Sequence, residues 1–166
     1  MEKLKGDAAR NHPELPQMEA LALESSANIT EMINSEPDKR AKLQLAASAF
    51  MGYYLSNIRV PVKFCSEQGV SLQPYITEFE RIHITELSKS RKLLADMKIQ
   101  EDNYYEMLKP YINIMQVSEM SAITTDRNIS SKQLCELLSE NGQAIARSSH
   151  ISKAIPLVYS TLSNEN

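Results

Sequence analysis

Apolar residues recur at three- and four-residue intervals along most of the chain, the mark of amphipathic helices. Met18, Leu21, Ala22, Ser25, Ile29, Met32 and Ile33 form one stripe and predict a first helix from Pro16 to Asn34. Pro16 suits a first turn, where its missing N–H would have been unpaired anyway. "NSEPDK" then breaks the pattern. Ser35 is the expected N-cap of a second helix, with Glu36 and Asp38 in its first turn. That helix carries Leu43, Ala47, Phe50, Tyr54, Ile58, Pro61 and Cys65 on one side, widened by Ala46, Ala49 and Tyr53. So broad an apolar face predicts a central helix contacted by several others. Gly52, set amid bulk, is expected to admit a neighbouring backbone. Gly69 is expected to end the helix in a left-handed conformation.

One stretch resists this reading. "IRVPVKF", residues 58–64, alternates like a strand. As a strand it would carry Pro61 at its centre, which confines it to a sheet edge. Its one candidate partner, "IPLVYSTL", also contains a proline, and an isolated two-stranded ribbon is marginal. The helical stripe, by contrast, continues from Phe50 and Tyr54 through Ile58 to Cys65. A helix here is expected to kink, because Pro61 deprives the Asn57 carbonyl of its donor. Tyr53, Tyr54, Asn57 and Arg59 surround that step and, with His83, form a candidate pocket.

A third helix, starting between Ser71 and Pro74 and ending near Met97, has Tyr75, Ile76, Phe79, Ile82, His83, Leu87, Ser90, Leu94 and Met97 on its stripe. A fourth turns Tyr104, Leu108, Tyr111, Ile112, Met115 and Ile123 inward and contains Pro110. "TTDRNISSKQ" reads as a loop, in which Ser130 and Gln133 fit a capping box for a fifth helix. Leu134, Leu137 and Leu138 of that helix are expected to face inward, and Asn141-Gly142 to end or bend it. A last segment puts Ile145, Ile151, Ala154, Ile155, Val158 and Leu162 roughly on one side. The polar residues 1–15, with Pro13, read as a flexible N-terminal arm, and 16–163 as a single helical domain. No repeat and no βαβ rhythm appears. The expected fold is therefore all-α: an antiparallel bundle of five to six helices with proline kinks near Pro61 and Pro110.

Composition agrees. The chain has 166 residues, the size of one domain, and only four glycines, too few for a turn-rich β-sandwich. A net charge of −3 gives no footprint for nucleic acid. The one basic run, with Lys89, Arg91, Lys92 and Lys98, reads as the solvated end of a helix. No segment approaches the ~18 apolar residues of a membrane span. The first residues lack an apolar signal core, so a cytoplasmic protein is expected, or a periplasmic or secreted one if a signal has been removed. Cys65 and Cys135 are the only cysteines. They read as free buried thiols or, in an oxidising compartment, as a disulfide joining two helices.

Candidate chemistry is sparse. Glu80, His83 and Glu86 form E-x-x-H-x-x-E on one helical ridge. Di-iron bundles use E-x-x-H twice, with further glutamates from other helices, and only one copy is present here. A zinc site on His83 would need ligands this motif supplies only in part. The simpler reading is a partly buried histidine hydrogen-bonded to a neighbouring helix, and no metal or cofactor is expected. Neither cysteine lies in a nucleophile motif, and there is no phosphate loop or dinucleotide fingerprint. The expected function is therefore non-enzymatic: an adaptor, assembly factor, chaperone-like or inhibitor protein that binds another protein, with homo-oligomerisation open. The fourth helix supplies the candidate surface, Tyr104, Tyr105, Met107, Tyr111 and Met120, because Met adapts to varied partners and Tyr is favoured at interfaces. The alternative is a small-molecule- or metal-binding bundle with its pocket at the proline step.

Overall fold

Ten helices and no strand make up the described residues, 2–163, of the computed structural model; the side chains of Met18, Tyr111 and residues 113–119 lie outside the description. In chain order they are α1 (Glu2–Asn11), α2 (Gln17–Ser35), α3 (Lys39–Glu67), α4 (Gln73–Ile82) and α5 (Ile84–Asp96), then α6 (Glu101–Arg127), α7 (Ser131–Glu140), α8 (Gly142–Ser148), α9 (Ile151–Ala154) and α10 (Pro156–Ser163). The fold is all-α as expected, but the count of five or six helices is not. Each extra break has a local cause.

The expected N-terminal arm contains α1, which packs back on α2. Asn11 Nδ2 donates to Glu24 at 2.8 Å, and Ala8, Ala20 and Leu21 form a small core of their own. The expected third helix is divided at His83, which ends α4 and precedes α5. The expected last segment becomes α8, α9 and α10. Pro156 has no N–H and disfavours helical backbone at Ile155, which stands outside the helical region at φ −140 and ψ 79 and separates α9 from α10. The same effect moves one cap. Pro37 holds Glu36 extended, so α3 starts only after Asp38, whose carboxylate accepts from the Ala41 N–H at 2.7 Å. Ser35, the expected cap, instead ends α2 and donates to the Met32 carbonyl.

Three expected helix-boundary signals are present. Gly69 follows α3 at φ +74. Ser130 and Gln133 form a reciprocal capping box at α7. Asn141 ends α7. The expected loop over 124–133 is shorter, because α6 runs on to Arg127 and is stopped by Asn128 in the left-handed region. Pro61 and Pro110 both lie inside continuous helices, α3 and α6.

α3 is the central helix. Ala46, Ala47, Phe50, Met51, Tyr54 and Leu55 are all buried, adjacent pairs that cover a wide face. α5, α10, α6, α2 and α7 pack around it. Tyr75, Phe79, His83, Leu87, Ser90 and Leu94 bring α4 and α5 onto this core, following the expected stripe. Each fully buried large side chain contributes about 1.5–3 kcal/mol. In α7, Leu134 and Cys135 are buried whereas Leu137, expected inside, is exposed.

Two links close the bundle. Cys65 and Cys135 are joined in a fully buried disulfide with Cα atoms 5.3 Å apart, which fixes the end of α3 to α7. The free-thiol reading is therefore replaced by the disulfide. Between α4 and α8, Glu78 accepts two bonds from Arg81 at 2.8 Å and one from Arg147 Nε at 2.6 Å. Lys89 and Arg91, read as solvated, are engaged as well: Lys89 donates to the Leu162 carbonyl and Arg91 to Glu101.

Candidate functional site

An apolar concavity of about 710 Å³ forms a groove between α2 and α3. Four small residues of α3, Ser48, Ala49, Gly52 and Ser56, line it beside Leu45, Tyr53 and Asn57. Leu23, Ile29 and Met32 face them from α2. Leu108 and Ile112 of α6 and Ala154 of α9 complete the lining. The N-terminal half of α2 packs with α1 through Ala20 and Leu21, while Ile33 and Ile29 join the main core further on. Leu23 is 46% exposed and Met32 54% exposed, so two large apolar side chains stand in solvent at the groove.

Gly52 belongs to this groove, and the expected close backbone approach is not there. A Cβ at Gly52 would meet only the Leu108 side chain, at an ordinary 3.7 Å.

Polar groups in the groove are few and mostly engaged. The Tyr53 hydroxyl donates to the Ser149 carbonyl at 2.6 Å, and burial pushes its pKa up to about 12. The Tyr104 hydroxyl donates to the Ser48 carbonyl at 2.8 Å, and burial raises its pKa too. Asn57 Nδ2 donates to the Tyr53 carbonyl at 2.9 Å. Among the described residues, Glu19 and Lys153 are the charged residues of the lining.

The candidate pocket residues separate. Tyr53 and Asn57 line the groove. Tyr54 is buried elsewhere: its hydroxyl donates to Glu80 at 2.6 Å, and Arg91 lies over its ring at 5.6 Å. Burial first, then the Glu80 bond, raises its pKa. Arg59 pairs with Asp102 at 2.9 Å and lies over the Tyr105 ring at 5.4 Å, clamping α3 to the start of α6. His83 is fully buried and does not reach the groove lining. Its Nδ1 lies 2.8 Å from the Phe79 carbonyl, and its Nε2 accepts from the Ile151 N–H at 3.0 Å. That pattern assigns the neutral Nδ1–H tautomer. The ring stacks on His150 at 4.7 Å and 15°. Burial lowers its pKa, with the His150 charge adding to that and the Phe79 bond and Glu86 opposing it.

The E-x-x-H-x-x-E residues likewise point to three different partners. Glu80 receives Tyr54, His83 receives Ile151, and Glu86 receives the Ser163 hydroxyl at 2.7 Å. Among the described residues no three His, Cys, Asp or Glu side chains are placed to share a metal ion.

The expected Tyr/Met surface of α6 is dispersed as well. Tyr104 lines the groove and Tyr105 lies near Arg59 and Lys109. Met120 is buried, Met107 is 60% exposed, and the side chain of Tyr111 lies outside the described residues. Leu23 stands on no predicted stripe, and Met32 and Ala49 are expected only as members of apolar helix faces, not as site residues. The signal was present in the run of small residues Ser48, Ala49, Gly52 and Ser56, spaced to line one side of α3.

What fold and site define together is an all-α protein with an apolar groove between helices. No protein-family model, curated protein or solved structure matches the chain. Among the described residues no helix is long and apolar enough to cross a membrane.

Proposed function

We propose that the protein binds an apolar small molecule in the groove between α2 and α3. This takes up the second of the two sequence readings and moves its pocket from His83 to the α2 side of α3. One observation carries it: an apolar space of about 710 Å³ floored by small residues. That volume lies within the range of roughly 300–1,000 Å³ typical of ligand pockets, as do the apolar lining and the few polar groups. None of the residues lining it forms a catalytic constellation, so binding rather than turnover is the reading.

The test is a fluorescence titration with a solvatochromic naphthalene probe carrying an alkyl chain. Wild type should bind one equivalent saturably. Gly52→Leu and Ala49→Phe, which fill the floor, should abolish binding while the unfolding midpoint stays near that of wild type. Equal binding by the filled variants would overturn the reading.

A protein partner remains the second reading, supported by the exposure of Leu23, Met32 and Met107. A partner that covers these side chains would be lost on Leu23→Ser or Met32→Ser. Met107 does not line the groove, so Met107→Ser would still bind a groove ligand but would lose a partner that covers Met107.

A further inference from the structure

A second, smaller cavity adjoins the groove. It measures about 200 Å³ and is lined by Pro61, Leu72, Tyr75, Met120, Leu134 and Leu138, among others. Ser56 and Asn57 line both spaces, so the two meet where α3 carries its proline. Pro61 has no amide hydrogen, and residue 61 is the one that would donate to the Asn57 carbonyl in a regular helix. Three nearby polar hydrogens are already committed. The Tyr53 hydroxyl donates to Ser149, the Ser56 hydroxyl to the Gly52 carbonyl at 2.8 Å, and Asn57 Nδ2 to the Tyr53 carbonyl. The junction thus offers an acceptor without its helical donor, beside apolar walls.

The charge of the lining narrows the chemistry further. Among the described residues, neither a carboxylate nor a cation lines the smaller cavity. An ammonium head would be stripped of water there with no counter-charge, which is costly. A neutral hydroxyl or amide N–H would not be.

Resting on the groove as a small-molecule site, we propose that its ligand is an amphiphile with a small neutral hydrogen-bond donor. The head enters the cavity beside Pro61 and donates to the Asn57 carbonyl, while the apolar body lies in the groove between α2 and α3. Pro61 acts as a specificity-determining residue, because its missing N–H keeps this acceptor open.

The experiment is calorimetric titration with a long-chain alcohol and with its methyl ether, which has the same body and no donor. Wild type should bind the alcohol roughly tenfold more tightly, the order of one net hydrogen bond. Pro61→Ala restores an amide hydrogen to the Asn57 carbonyl and removes a helix-interior proline, so it should fold. It should bind both compounds with the affinity that wild type has for the ether. Equal binding of alcohol and ether by wild type would overturn the donor claim and leave the groove reading standing. A preference that survives in Pro61→Ala would also overturn it. If neither compound binds wild type, the groove reading falls with it.

Discussion

The Nε2 atom of His83 accepts a hydrogen bond from the backbone N–H of Ile151, 68 residues away, at 3.0 Å in the core. The bond forms only with a neutral ring, since protonation would turn Nε2 into a donor facing a donor. Phe79, Phe50 and Tyr53 surround the ring, and His150 and Glu86 are the ionisable groups that shift its titration. Burial lowers the His83 pKa below its ordinary value. The unfolded chain therefore takes up this proton first as pH falls. The contribution of His83 is complete above about pH 6.5 and declines as pH drops through the depressed native value. Urea unfolding at pH 7.5 and pH 5.5 should show a lower midpoint at the acid pH. His83→Phe should lose about 1–3 kcal/mol at pH 7.5, because it strands the Ile151 N–H. It should also flatten the difference between the two pH values, and an undiminished difference would rule His83 out as its source.

Glu78 titrates in a different window. Arg81 and Arg147 hold its carboxyl down to about 2 by their hydrogen bonds. A lowered carboxylate contributes stability that is present above its unfolded value, about 4.5, and lost as pH falls toward 2. Glu78→Gln should lower the midpoint at neutral pH and reduce the acid limb of the stability curve. Both arginines are largely exposed, so high salt should shrink the effect. An acid limb identical to that of wild type would show that other carboxylates produce it.

Cys65 and Cys135 close a loop of 70 residues between α3 and α7. For a loop of that length the chain-entropy model gives roughly 4 kcal/mol. Cys65→Ala with Cys135→Ala should lose most of this in urea unfolding, and reductant should do the same to wild type. Such bonds persist in oxidising compartments and are rare in the cytosol. Alkylation of the unfolded, unreduced protein should label no cysteine, and two labelled thiols would overturn the claim.

Legibility followed the range of each interaction. The stripe through Tyr75, Phe79, His83, Leu87 and Leu94 was readable because helical period and burial coincide there. The Ser130–Gln133 box and the Gly69 stop were readable because they are local chemistry. The breaks at His83 and Pro156 were missed because apolar periodicity carries on across them. The groove was missed for another reason. Its small-residue side is visible in α3 as Ser48, Ala49, Gly52 and Ser56, but what stands opposite depends on α2, whose Ala20 and Leu21 pack with α1. Tyr53 and Asn57 were found because Pro61 drew attention to them, whereas Tyr54 and Arg59, one and two residues from them, point to other neighbours.

Gly52 and Gly142 should respond to alanine in opposite directions. At Gly142, the first residue of α8, an added Cβ would lie 2.8 Å from the Tyr75 backbone nitrogen and 3.1 Å from its Cα. Backbone cannot rotate away as a side chain can, so α8 must shift off α4. That shift also strains the Arg147–Glu78 bond, which joins the same two helices. Forced overpacking of this kind costs about 1–3 kcal/mol. At Gly52, inside α3, the Cβ would meet only Leu108 at 3.7 Å. Alanine there should gain up to about 1 kcal/mol from helix propensity. Urea unfolding of the two variants side by side checks both signs. A stabilised Gly142→Ala would mean that α4 and α8 do not meet at the separation described, and the Glu78 bridge between them would have to be reconsidered as well.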